Sequence, residues 1–199
     1  MITIFLETGS KTTSEYVFIK TLIKHLGVEE KVSEIVCVNG KDNLANSSNA
    51  FLANTLEGGT NLIIFDADSP ANKGGFAIRE KDLRQQFDFL GIKADLFLFP
   101  NNADDGDFEV LLESILRRDI HQRFFDCFED YEKCLGGNYI APNRKGKLFT
   151  YISAQKELTH KQRSDLGKGE WLFDDDRFWD LDSPSLQPLK QFILDHCKE

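Results

Sequence analysis

The stretch Asn61-Leu62-Ile63-Ile64-Phe65-Asp66-Ala67-Asp68 decides the fold. Residues 61–65 form a short, almost continuously apolar run, the pattern of a strand covered on both faces, and the run ends in carboxylates. Similar strands are expected at Met1 to Leu6, Glu34 to Val38 and Ala94 to Phe99, the last stopped by Pro100. Amphipathic segments separate them. Ser14 to Leu26 carries Val17, Ile19, Leu22, Ile23 and Leu26 close to helical spacing, with Ser14 as the expected N-cap and Gly27 as the stop. Further helices are expected at Asn43 to Leu56, ended by Gly58-Gly59, at Phe76 to Leu90, and at Phe108 to Arg118. Strands alternating with helices predict an α/β fold: a mainly parallel, Rossmann-like sheet of about four strands with helices on both faces.

The remainder is expected to be a mostly helical C-terminal extension of about 116–199 on a core of about 1–115, in one domain. Its segments are a helix at Ile120 to Leu135, a polar and basic stretch from Asn143 to Lys168, and a helix from Pro184 to Cys197. Residues 170–182 mix Trp171, Phe173, Phe178 and Trp179 with six acids. The aromatics suit docking of this tail onto the domain, with the acids left in water.

The 199 residues carry 33 acidic and 24 basic side chains, a net charge of -9, which excludes attraction of polyanions by bulk charge. Any nucleic-acid partner therefore needs a metal ion or a local basic patch. Arg144 to Lys168 supplies one, with seven basic residues against Glu157 and Asp165. No apolar run approaches the ~20 residues of a membrane helix, and the N-terminus lacks a basic region followed by an apolar one, so a cytoplasmic protein without a membrane partner is expected. Cys37, Cys127, Cys134 and Cys197 are scattered and read as ordinary reduced thiols.

In a parallel sheet, ligands bind beyond the carboxyl ends of the strands. Three strand ends carry acids here: Glu7 after the first, Asp66 and Asp68 after the third, and Asp107 and Glu109 beyond the fourth. Asp66 and Asp68, two apart in an extended segment, point to one side and can share a hard cation, with Glu7 closing the site from a neighbouring strand. A D-x-D alone also fits a helix cap and a solvated loop residue. Three mutually repelling carboxylates at one sheet edge favour the cation.

These residues resemble the motifs of the Toprim domain, shared by topoisomerases, primases, small RNA maturases and OLD-type nucleases. Glu7 ends a first strand and is followed, after a Gly-containing turn, by a helix with Phe18-Ile19, and Asp66-Ala67-Asp68 ends a later strand. Asn39-Gly40-Lys41-Asp42-Asn43 looks like a G-K-x-N turn, Phe99-Pro100-Asn101-Asn102 like a Pro-Asn segment, and Gly106-Asp107-Phe108-Glu109 like a G-x-x-E. Together they resemble most the small stand-alone Toprim-like proteins and the OLD-nuclease branch, over residues 1–115. The family reads E-G-x-x-D at its first motif; here Thr8 stands between Glu7 and Gly9, and Glu15 fills the place of the Asp.

The resemblance implies a Mg²⁺-dependent protein, with Mn²⁺ as substitute, acting on DNA or RNA phosphodiesters as a nuclease or nuclease relative. Glu7 would be a metal ligand or general acid/base near the scissile phosphate, Asp66 and Asp68 would bind Mg²⁺, and Glu109 with Glu15 would support a second ion. Lys145 or Lys147 would be the catalytic lysine near the metals, and Lys41 and Arg144 would contact phosphate. Two other readings are a non-catalytic Toprim-like module working through a protein partner, favoured by the altered first motif, and a metal-dependent nucleotide-sugar transferase, which also uses D-x-D.

Overall fold

Alternate residues of three of the strands enter two different cores. In the computed structural model, which describes residues 1–198, β1 (Ile2–Leu6) sends Ile2, Ile4 and Leu6 to one side and Phe5 to the other. In β3 (Thr60–Asp66) Leu62 and Ile64 face the first core, Ile63 and Phe65 the second. In β4 (Asp95–Phe99) Phe97 and Phe99 divide in the same way from Leu96 and Leu98. This two-residue alternation, buried on both faces, is what a sheet between two helical layers requires.

With β2 (Val32–Cys37), the strands form a four-stranded parallel sheet in the order β2-β1-β3-β4. The chain steps from β1 outward to β2, then crosses back over β1 to β3 and β4. The direction of winding therefore reverses between β1 and β3. That reversal leaves a crevice beyond their carboxyl ends, the place where such sheets bind ligands.

One face carries α1 (Ser14–His25), which presents Phe18, Ile19, Leu22 and Ile23, together with α4 (Phe108–Ser114). The other carries α2 (Ser48–Leu56), with Phe51 stacked on Phe5, and α3 (Phe76–Leu90), with Leu83 and Phe87. The cap of α1 is Thr13, whose hydroxyl accepts from the Tyr16 N–H; Ser14, the expected cap, is the first helical residue and is buried. The expected helix from Asn43 splits into a 3-10 turn at Lys41–Ser47 followed by α2. Its Asn side chains explain the split: Asn43 donates to the Asn39 carbonyl and Asn46 donates to Asn43, local bonds that compete with helical ones. The helix expected to reach Arg118 stops at Ser114. There the Ile115 carbonyl accepts from Asp180 N–H at 2.8 Å and Leu116 bridges to Trp179, so the returning tail takes over the pairing.

The extension consists of α5 (Arg118–Leu135), α6 (Arg144–Ser153), α7 (His160–Asp165) and α8 (Gln187–His196). Phe125, Leu148, Tyr151, Ile152 and Ile193 join the same core as α1 and α4, so this layer continues the domain. The four tail aromatics are buried as expected. Trp179 donates its indole N–H to the Trp171 carbonyl at 2.8 Å, and Trp171 donates its own to Leu166 at 3.1 Å. Among the described residues no helix is long and apolar enough to cross a membrane.

Candidate functional site

Glu7 is the first residue after β1 and lies at the crevice. Its Oε2 accepts the main-chain N–H of Asp66, the last residue of β3, at 3.2 Å, and the Lys41 N–H also bonds to the carboxylate. The Glu7 carbonyl accepts from Gly40 at 2.7 Å, and Asn39 donates to the Thr8 carbonyl at 3.0 Å. The Asn39–Lys41 turn is thus a cradle for the first acidic residue. Gly9 packs against this turn: a Cβ there would stand 2.6 Å from Asn39 Oδ1, and the Asn39 side chain would have to move aside. Lys41 serves through its backbone, while its side chain borders a separate cavity with Asp82, Gln85 and Phe89.

Three more carboxylates surround Glu7. Asp66 Oδ1 accepts from the Phe108 N–H at 2.8 Å, tying β3 to the start of α4. Glu15 comes from the first turn of α1 and Glu109 from the first turn of α4. Glu15 Oε1 is shut off from solvent and meets no hydrogen-bond partner. Burial, reinforced by the charges of Glu7 and Glu109, pushes the Glu15 carboxyl up to about 8. Asp66 is held well above the usual carboxylate range by burial and by the charges of Glu15, Glu7 and Glu109. Glu7 is raised too, mainly by burial, against the lowering effect of Arg79. Lys145 faces the group from α6, with Nζ 3.5 Å from Glu109 Oε1.

The other expected residues are placed differently. Asp68 adopts a left-handed backbone, φ +61°, which ends the extended alternation assumed for Asp66-Ala67-Asp68. Its carboxylate pairs with Arg79, a buried guanidinium on α3, and its carbonyl accepts from Gly106 at 2.8 Å. Asp68 is therefore already neutralised by the protein. Lys147 lies two residues beyond Lys145, on the opposite side of α6, over the Phe128 ring at 5.4 Å. Arg144 is engaged by Glu113 at 2.8 Å and Asp107 at 3.6 Å. Arg79 is the residue that sequence reasoning missed. Its signal was present, because Arg79, Leu83 and Phe87 fall at i, i+4 and i+8 of one helix and put a cation on an apolar stripe.

Among the described residues, no three His, Cys, Asp or Glu side chains form a ready-made metal cage. The carboxylates nonetheless suit a cation chemically: one has a buried oxygen without a partner, two others are pushed upward in pKa, and all face a sheet end where oxygen ligands converge. A cavity of about 560 Å³ lies at the other end of the sheet, beside Thr60, Asn61 and Asp95, away from all of them.

Fold and site together define a Rossmann-like α/β protein with a carboxylate cluster at its topological switch point. The chain matches the family described as "Protein of unknown function (DUF3226)" over residues 12–198, and it belongs to that family. The matched stretch contains Glu15, Asp66, Asp68, Glu109 and Lys145, and begins after Glu7. No curated protein and no solved structure matches the chain.

Proposed function

We propose that this chain is a Toprim-like protein that binds Mg²⁺, with Mn²⁺ as a substitute, and acts on nucleic-acid phosphodiesters as a nuclease or nuclease relative. The carrying observation is the Glu15 carboxylate, with a partnerless oxygen amid the charges of Glu7 and Glu109. Glu7, Glu15, Asp66 and Glu109 would hold the ion; a bound divalent cation would supply charge compensation for a phosphate and an activated water. Glu7 and Asp66 are oriented by the main-chain donors of Asp66, Lys41 and Phe108, so their oxygens need little reorganisation. Lys145 offers an ammonium to a phosphate oxygen from the Glu109 side. The Asp68–Arg79 pair anchors the loop after β3. Four unpaired cysteines fit a cytoplasmic location.

The test is cleavage of end-labelled DNA and RNA by wild type and Asp66→Asn, with Mg²⁺ or Mn²⁺. Cleavage by the wild type alone is expected, and equal products from both overturn the reading.

The Arg79–Asp68 pair favours a second reading, a non-catalytic module that works through a protein partner, because a fixed internal cation occupies one of the two aspartates. Stabilisation by Mg²⁺ without cleavage of any DNA or RNA selects it.

A further inference from the structure

A cavity of about 390 Å³ opens beside the carboxylate cluster, between the N-terminus of α1, the first turns of α6 and the loop after α7. We infer that it takes the nucleobase of a nucleic-acid strand whose phosphate lies at the carboxylates, an inference that rests on the reading proposed above.

The cavity is joined to the cluster by two residues. Lys145 lines it and also has its ammonium 3.5 Å from Glu109, and Ser14 lines it immediately before Glu15. An occupant is thus held within one side chain of the acids.

Its walls suit a flat ring. Phe149 is 41% exposed and lines the cavity, and its ring centre lies 6.3 Å from that of the buried Trp171. The Trp171 indole N–H is taken by the Leu166 carbonyl, so the buried tryptophan offers no free polar group at the cavity wall and backs Phe149. Gly167 leaves its side open, since a Cβ there would meet nothing within 4 Å. The floor is fixed by Gly169, at φ +81°, where a Cβ would lie 2.3 Å from the Thr13 carbonyl carbon. The loop after α7 is therefore pressed against the start of α1, and the cavity is preformed.

An aromatic face beside an ammonium, which itself leads to a cluster able to hold a cation, matches a planar group attached to a phosphate. An apolar peptide side chain would use the ring but make no use of Lys145 or of the acids. Nucleobases stack on such rings with little regard to sequence. The cavity lies on the tail side, so the strand is expected to run from the carboxylates toward Phe149 with its bases unpaired.

The experiment is fluorescence anisotropy of a labelled single-stranded oligonucleotide, with Ca²⁺ replacing Mg²⁺ to limit turnover. Loss of one stacked base predicts binding about tenfold weaker in Phe149→Ala. Phe149→Tyr should keep wild-type affinity. A strand with abasic sites should bind wild type as weakly as the intact strand binds Phe149→Ala. If Phe149→Ala unfolds, Phe149→Leu, which retains bulk and lacks the aromatic face, carries the same expectation. Wild-type affinity in the folded Ala or Leu variant overturns the base site and leaves the metal and phosphodiester reading standing. Failure of the wild type to bind either strand overturns that reading and the base site with it.

Discussion

Glu7 Oε2 accepts the Asp66 main-chain N–H at 3.2 Å, so the acid that follows one central strand is seated on the last residue of its neighbour. Asp66 in turn holds the Phe108 N–H, and the two contacts link β1, β3 and α4 around the candidate site.

Asp66→Asn should separate function from folding. An asparagine oxygen can still accept from Phe108, and the substitution removes a carboxyl whose ionisation is opposed by burial and by the neighbouring acids. The metal-free variant is expected to melt at or above the wild-type temperature. Saturating Mg²⁺ at a hundred times its Kd would stabilise the wild type by about 2.7 kcal/mol, and most of that gain should vanish in the variant. Thermal melts with and without Mg²⁺ measure both effects, and an undiminished Mg²⁺ shift excludes Asp66 as a ligand.

The metal-free protein should lose stability as pH rises from about 4.5 to about 8. Glu15 ionises near 4.5 in the unfolded chain and near 8 in the folded one, so over this window the folded state retains a proton that the unfolded state has released. Stability tied to that proton is complete below about 4.5 and gone above about 8. The upward displacement of Asp66 and Glu7 acts in the same direction. Urea midpoints across this range should fall for the wild type and fall less for Glu15→Gln; identical slopes would disprove the assignment to Glu15.

Arg79→Met should be costly because it leaves the Asp68 carboxylate without its cation. Removing one partner of a buried pair costs about 3–5 kcal/mol, and the lower end applies here because Asp68 keeps some solvent contact. Adding Asp68→Asn should recover part of the loss. Denaturant midpoints of the single and double variants give the coupling, and additive effects would show that the pair contributes nothing to stability.

Trp179→Ala should destabilise the whole protein, not the tail alone. Truncating a buried aromatic costs about 3–5 kcal/mol, and this one packs on Phe173 and Tyr151 in the core shared with α1. Far-ultraviolet circular dichroism and fluorescence of the remaining Trp171 should report one coincident transition. Two separated transitions would assign the extension to an independent unit.

Most of the fold was legible because its signals are local. The strand runs expected at Met1 to Leu6, Asn61 to Phe65 and Ala94 to Phe99, and the helix expected at Phe76 to Leu90, are specified without distant help. Glu7 and Asp66 could be expected at one sheet edge because each directly ends a strand. Asp68 could not be placed in this way, since its left-handed turn and its pairing with Arg79 depend on contacts across the fold. The stop at Ser114 was hidden for a similar reason. It depends on a backbone partner, Asp180, that arrives 65 residues later. The Thr13 cap differs from the expected Ser14 by one position, and either hydroxyl satisfies the local rule.

The strand order has a kinetic consequence. β1 pairs with β3 across more than fifty residues of intervening chain, and Ile2 meets Thr60 while Leu6 meets Ile64. Glu7 and Asp66 consequently remain strangers until this long loop has closed. Contacts of such sequence separation form slowly, after the local helices. A probe that senses their meeting would therefore report the completion of the central sheet, and ligand capture at that point would act as a latch on a chain already folded around it.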